Sequence, residues 1–146
     1  TGIPLYPLDM MNWNADRTTV EKREFLERLS NVLEKDEWII DGNYGSTKEL
    51  RMQRCDTIIF LDYSLDVCLD GISKRKGKPR SDIPWKEPVH DDEEFIRFIK
   101  NYNSQSRPQV MALFEKYSYK HIIVFKSRNE ASVFLSKTPL SSDKMK

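Results

Sequence analysis

Three aspartates close apolar runs in this chain: Asp9 ends IPLYPLD, Asp41 ends WIID and Asp62 ends TIIFLD. A carboxylate placed there has two uses. It is a ready turn former or helix cap, and it is also what a strand end can offer to a ligand. Other groups fit for chemistry stand close by in the sequence. Trp13 follows Asp9, Gly42, Asn43 and Tyr44 follow Asp41 directly, and Arg51 comes a few residues later. A basic run of Lys74, Arg75, Lys76, Lys78 and Arg80 leads into a proline-rich stretch, and Arg107 stands further along. For phosphate, arginine's planar fork is better suited than lysine's point charge. HDDEE, residues 90–94, has the composition of a metal site, but with two histidines in the chain it reads better as the acidic first turn of a helix.

The elements that must position these residues alternate between apolar runs and helical patterns. Residues 3–8 can be extended, although Pro4 and Pro7 each remove a ladder donor, which makes the strand short or places it at an edge. Thr18 and Glu21 have capping-box spacing, and Phe25, Leu26, Leu29, Val32 and Leu33 share one helical face, so a helix is expected over 19–35. WIID, TIIFLD and HIIVF are short and lack polar residues within their apolar stretches, as strands buried on both faces do. A short helix over 47–54 with Ser46 as its cap, one after Asp62, one over the DDEEFIRFIKNYNSQ stretch, one over 108–117 and a last one capped by Asn129 complete the alternation. Residues 76–90 hold three of the seven prolines and no periodicity. A loop of that length inside a domain is uncommon unless it is a lid or a binding loop. The final residues, 138–146, read as a disordered tail. Apolar strands alternating with helices imply an α/β fold with a parallel sheet covered on both sides, whose ligands collect at the carboxyl ends of the strands.

Composition narrows the class further. The chain has 146 residues and 38% hydrophobic content, which suits one domain. Its 24 basic and 23 acidic side chains leave a net charge of +1, against a general nucleic-acid or membrane-surface binder. Cys55 and Cys68 lack the spacing of a metal knuckle or redox pair and read as buried thiols of a reducing, cytoplasmic protein. There is neither a membrane-length apolar run nor a secretion signal.

Taken in order, IPLYPLD, WIIDGNY, DTIIFLD and SKRKGKPR resemble the bacterial DNA topology modulation proteins (FlaR-related). That family looks like the adenylate kinases and belongs to the P-loop nucleoside monophosphate kinase-like group. The resemblance spans roughly residues 2–135 and is most specific at WIIDGNY and DTIIFLD. It implies a three-layer α/β sandwich, a magnesium- and ATP-dependent phosphotransferase, and a nucleotide or similar small molecule as acceptor. It also exposes a gap, because none of the glycines at 2, 42, 45, 71 and 77 precedes a Lys-Ser or Lys-Thr pair, so no phosphate-binding loop is present. In related kinases GIP follows the P-loop helix directly. The first strand, the loop and their helix are therefore expected to be missing from these residues, and the chain as given should bind ATP poorly.

Residue roles implied by the resemblance follow position by position. Asp41 matches the aspartate that orients magnesium, usually through water, with Gly42 allowing close approach. Adenylate kinases continue with Pro-Arg where Asn43 and Tyr44 stand here, which leaves the acceptor open. Asp9 could take a hydroxyl or base edge while Trp13 stacks, or Asp9 could cap a turn while Trp13 packs. Arg51 could reach an acceptor phosphate or lie on a solvated helix face. Arg75, Arg80 and Arg107, near the place of the lid, are expected to stabilise charge during phosphoryl transfer, against the alternative of solvated surface charge. Two other readings stand beside this one: a non-catalytic, DNA-associated regulatory protein on a kinase fold, and a kinase for a small hydroxylated metabolite.

Overall fold

A computed structural model describes residues 1–138, so the expected tail lies, from residue 139 on, outside the described residues. Strand β1 (Leu5–Pro7) leads into the short helix α1 (Leu8–Asn12), and α2 (Lys22–Leu33) carries the chain back to β2 (Ile39–Asp41). A single 3-10 turn at Gly45–Thr47 precedes α3 (Lys48–Arg54), which leads to β3 (Thr57–Leu61) and α4 (Leu65–Arg75). After a long loop come α5 (Glu93–Gln105), α6 (Arg107–Lys116), β4 (His121–Phe125) and α7 (Arg128–Lys137). The fold is mixed α/β.

Among the described residues the four strands pair only in parallel, as the unbroken apolar runs imply, and Trp13 and Thr19 form one isolated antiparallel bridge. β1 pairs with β2 in the register Leu5↔Ile39 to Pro7↔Asp41, and β3 pairs with β4 from Thr57↔His121 to Leu61↔Phe125. Pro4 still contributes as an acceptor, its carbonyl taking the Ile39 N–H at 2.8 Å. The expectation of one continuous sheet needs correction, because among the described residues the four strands form two separate two-stranded sheets.

Each sheet has its own core on one face only. Tyr6 and Ile40 pack with Phe25, Leu29, Val32 and Leu33 of α2, around Leu8. Ile58, Phe60 and Ile122 pack with Val110 and Phe114 of α6 and with Met52 of α3. The opposite faces are open: Leu5 is 58% exposed, Ile39 40%, Ile59 58% and Leu61 54%. These strands are therefore not buried on both sides as their composition implied. One helix layer covers one face of a sheet, and α7 reaches the second face mainly at the end of β4, where Phe134 meets Phe125 at 5.2 Å between ring centroids.

Local end signals were only partly as expected. Thr18 hydrogen-bonds Asp16 with both its backbone N–H and its hydroxyl instead of capping α2, whose first turn follows Glu21 without a side-chain cap. A tight turn at 14–18 thus competes for the threonine. Ser46 lies within the 3-10 turn and does not cap α3, and α7 is capped by Ser127, not Asn129, through the Glu130 N–H. The acidic start of α5 and Pro108 in the first turn of α6 are as expected, and Ser64, a cap the sequence reading did not name, opens α4. The Lys120 ammonium donates to the carbonyls of Gln53 and Cys55, closing the end of α3 against the start of β4. Both cysteines are half-buried, and desolvation raises the pKa of each thiol.

Candidate functional site

Beyond the paired carboxyl ends of β1 and β2, the chain brings Asp9, Trp13 and Tyr44 into one hydrogen-bonded cluster. Leu8 is fully buried and fixes the start of α1, so Asp9 is set beside the loop that follows β2. The Tyr44 hydroxyl donates to Asp9 Oδ1 at 2.5 Å and accepts from Trp13 Nε1 at 3.1 Å and Asn12 Nδ2 at 3.4 Å. Partial burial pushes the Tyr44 phenol well above its ordinary range, and the Asp9 carboxylate adds to the effect. The phenol therefore stays protonated and serves as the bridge.

Asp41 ends β2 and is exposed, with Gly42 and Asn43 exposed after it. Gly42 has φ +143°, and a Cβ there would lie 2.8 Å from the Leu8 side chain, so the loop can pass this close to the core only as glycine. Arg51 holds the loop from below. Its Nη1 donates to Gly42 O at 3.1 Å, Nη2 to Tyr44 O at 3.0 Å and Nε to the Thr47 hydroxyl at 3.2 Å. Thr47 is 1% exposed and passes its own hydroxyl proton toward Tyr44 O. Arg51 is thus a loop clamp in this state. Burial lowers its pKa, while the neighbouring Asp41 charge works in the opposite direction. Lys48, one turn earlier, lies 5.7 Å from the Tyr102 ring centroid, and its pKa is lowered by desolvation and then by Arg51.

At the end of β3, Asp62 receives the Arg107 guanidinium as a fork, Nε to Oδ1 at 2.9 Å and Nη2 to Oδ2 at 2.8 Å. Bidentate pairs of this kind combine charge with fixed geometry. The Arg107 hydrogen bonds hold the Asp62 carboxyl below its ordinary value of 3.8. A lowered folded-state pKa adds stability that is fully present above the unfolded value and disappears as pH falls through the folded one. In Arg107→Gln, denaturant midpoints followed from neutral pH to below 3.8 should accordingly show a shallower acid limb than the parent protein. Identical acid limbs in the two proteins would contradict the pairing.

The remaining arginines differ in their surroundings. Arg75, at the end of α4, is exposed and forms no ion pair within 4.0 Å among the described residues. Arg80 turns inward: Nε reaches Asp82 Oδ1 at 2.9 Å, Nη2 also meets Asp82, and Nη1 meets Glu87 at 3.1 Å. Asp92 of the HDDEE stretch caps α5 through the Phe95 N–H at 3.0 Å, as its helical reading implied.

The structure therefore unites Asp9, Trp13, Tyr44, Asp41, Gly42 and Arg51 around the ends of β1 and β2, while Arg107 joins Asp62 beyond β3. Sequence reasoning passed over Trp85, whose indole meets Trp13 at 5.1 Å. A large aromatic alone in a proline-rich loop was the available signal. Two surface hollows lie elsewhere: one of about 500 Å³ is lined by α2 residues from Lys22 to Asn31, and one of about 400 Å³ is lined by Asp91 and by Glu93, Ile96, Arg97 and Lys100 of α5. Neither includes any of the candidate residues.

No group of three or more His, Cys, Asp or Glu side chains able to hold a metal occurs among the described residues. Asp41 by itself fits a magnesium ion that keeps most of its waters and finds further ligands on a phosphate; it does not fit a cation held wholly by protein. No helix among the described residues is long and apolar enough to cross a membrane. No protein-family model matches the chain, and neither curated proteins nor solved structures gave a match.

Proposed function

We propose that this chain supplies the acceptor side of a magnesium- and ATP-dependent phosphotransferase acting on a nucleotide or similar small molecule. The observation that carries the reading is the Asp9–Tyr44–Trp13 cluster, assembled from residues 35 positions apart at the carboxyl ends of two paired parallel strands, with Asp41 on the same loop as Tyr44. Parallel α/β sheets bind their ligands at that end. Asp9 offers an acceptor for a hydroxyl or an amino edge, Trp13 an apolar surface, and Asp41 a carboxylate for hydrated magnesium.

The break between the two sheets fits the same reading. A kinase sheet with its central strand and the following helix removed would leave two parallel pairs with uncovered apolar faces, and Leu5, Ile39, Ile59 and Leu61 are such faces. ATP phosphates require a glycine-rich backbone cradle that residues 1–146 do not contain, so the reading assigns that part to a further strand–loop–helix segment. The DNA-associated alternative is less well supported. Within the basic run Lys74 pairs with Asp70, Lys76 with Asp91 and Arg80 with Asp82 and Glu87, which leaves Arg75 and Lys78 as its two cations without an ion pair among the described residues, too few for a continuous positive field.

The test is Mg-ATP binding and phosphoryl transfer by the full-length protein over a panel of nucleoside monophosphates and hydroxylated metabolites. With an accepted substrate, Asp41→Asn should lower kcat on the order of 100-fold, the loss typical of removing one preorganised electrostatic contact. Absence of ATP binding and turnover, or full activity in Asp41→Asn, would sink the proposal.

A further inference from the structure

Residues 76–92 form a loop that is folded on itself. Its neck is closed by Gly77 N–H to Pro88 O at 3.3 Å and by the Lys76–Asp91 ion pair. Gly77 has φ +66°, and a Cβ there would sit 2.8 Å from Val89 Cγ1, so the two arms of the neck are in close apposition. Inside, Arg80 ties Asp82 to Glu87, and Ile83 is only 6% exposed. Compact surface loops whose ends meet and whose own side chains pack them are frequently functional.

The loop's one aromatic side chain, Trp85, reaches outside it. Its ring meets Trp13 edge to face, 5.1 Å between centroids and 72° between planes, and the Arg17 guanidinium lies 5.9 Å from its centroid. The receiving side is separately built. Asn14 N–H bonds Thr18 O at 2.8 Å, Arg17 N–H bonds Asn14 O at 3.0 Å, and Asp16 accepts from Thr18. Within that turn Arg17 is the one non-glycine residue with positive φ among the described residues, at 68°. A side chain in that region carries a conformational cost, which the turn's hydrogen bonds and the cation–π contact on Trp85 oppose. Trp13 in turn donates to Tyr44, which donates to Asp9, so a continuous chain of contacts runs from the loop to the acceptor carboxylate.

We infer that Trp85 is the latch of a preformed flap over Asp9, and that opening the flap lets a planar nucleobase replace Trp85 against Trp13 while its nucleoside reaches the Asp9 carboxylate. The inference rests on the acceptor-site reading above. It adds Trp85 and Arg17 as residues that set access and ring specificity. Asp9 Oδ2 receives no hydrogen bond from the described residues, so a donor on the ligand can use it without displacing Tyr44 from Oδ1.

Adenosine and guanosine, which carry no phosphate, separate this inference from the phosphotransfer reading. Titrated into the protein, at least one should give a saturable change in intrinsic tryptophan emission. Of the three tryptophans, Trp38 packs on the α2 core and serves as a constant background. Trp85→Ala should raise nucleoside affinity on the order of 10-fold, because the base no longer competes with the latching ring for Trp13, whereas Trp85→Phe should stay close to the parent. Trypsin should also cut after Arg80 or Lys86, which Ser81 and Glu87 follow, faster in Trp85→Ala and in Arg17→Ala than in the parent, with circular dichroism unchanged. Equal affinities and equal cleavage rates in all variants, or no saturable response to either nucleoside, would overturn the inference even if ATP-dependent transfer were found.

Discussion

Gly42→Ala is expected to destabilise the protein by about 2–5 kcal/mol, the combined scale of a strained backbone conformation and an overpacked contact. Two independent features act at this one position. The backbone has φ +143°, a conformation side chains rarely adopt, and the new methyl would meet Leu8 Cβ at 2.8 Å and Cδ1 at 2.9 Å. Leu8 is 0% exposed and belongs to the α2 core, so it has no room to retreat. Relief must come from the loop, which would pull the Gly42 and Tyr44 carbonyls off Arg51 and shift Tyr44 from Asp9. Gly45 provides the control three residues later. It has no positive φ and no atom within 4 Å of an added Cβ, so Gly45→Ala should leave the urea midpoint nearly unchanged. Equal effects from the two substitutions would mean that the Gly42 loop is not pressed against Leu8.

Leu29→Ala should cost about 2–5 kcal/mol, the range for emptying a buried leucine site. Leu29 is 0% exposed at the centre of the cluster that α2 lays over Tyr6 and Ile40. For a domain of typical stability, about 5–15 kcal/mol, that is a large fraction of the whole. Ile59→Ala removes a similar number of carbon atoms from a strand, yet Ile59 is 58% exposed and its loss should cost less than about 1 kcal/mol, because little apolar area returns to water. Chemical denaturation of the two variants side by side checks the order. A reversed order would show that the open face of β3 is covered and the α2 face is not.

Much of the local structure was legible in the residues. The periodicity of Phe25, Leu29, Val32 and Leu33 reports a helix face because residues three and four apart lie above one another on a helix, and those four are buried together. HIIVF and TIIFL are strands at the expected positions, and Pro108 opens its helix. End signals were less reliable where several side chains could serve. Thr18 had Asp16 as a nearer partner than the start of α2, and Ser127 stood closer than Asn129 to the free N–H groups of α7.

By itself, then, the sequence determined most of the helices and strands, though not α1 at Leu8–Asn12, that the strands run parallel, and that acids stand at the ends of three of them. Those properties follow from spacing along the chain and from the short reach of turns and caps. Only the tertiary structure decided which faces stay open, that the four strands divide into two pairs, and which of several similar charges become partners. Asp62 takes Arg107 from 45 residues away, Arg80 is held inside its own loop, and Arg51 spends its donors on backbone carbonyls. All three are arginines with no charged residue directly beside them in the chain and read alike in one dimension. What separates them is the position of strand ends and loop walls in space, since a guanidinium goes to whichever acceptors the fold sets within about 3 Å of it.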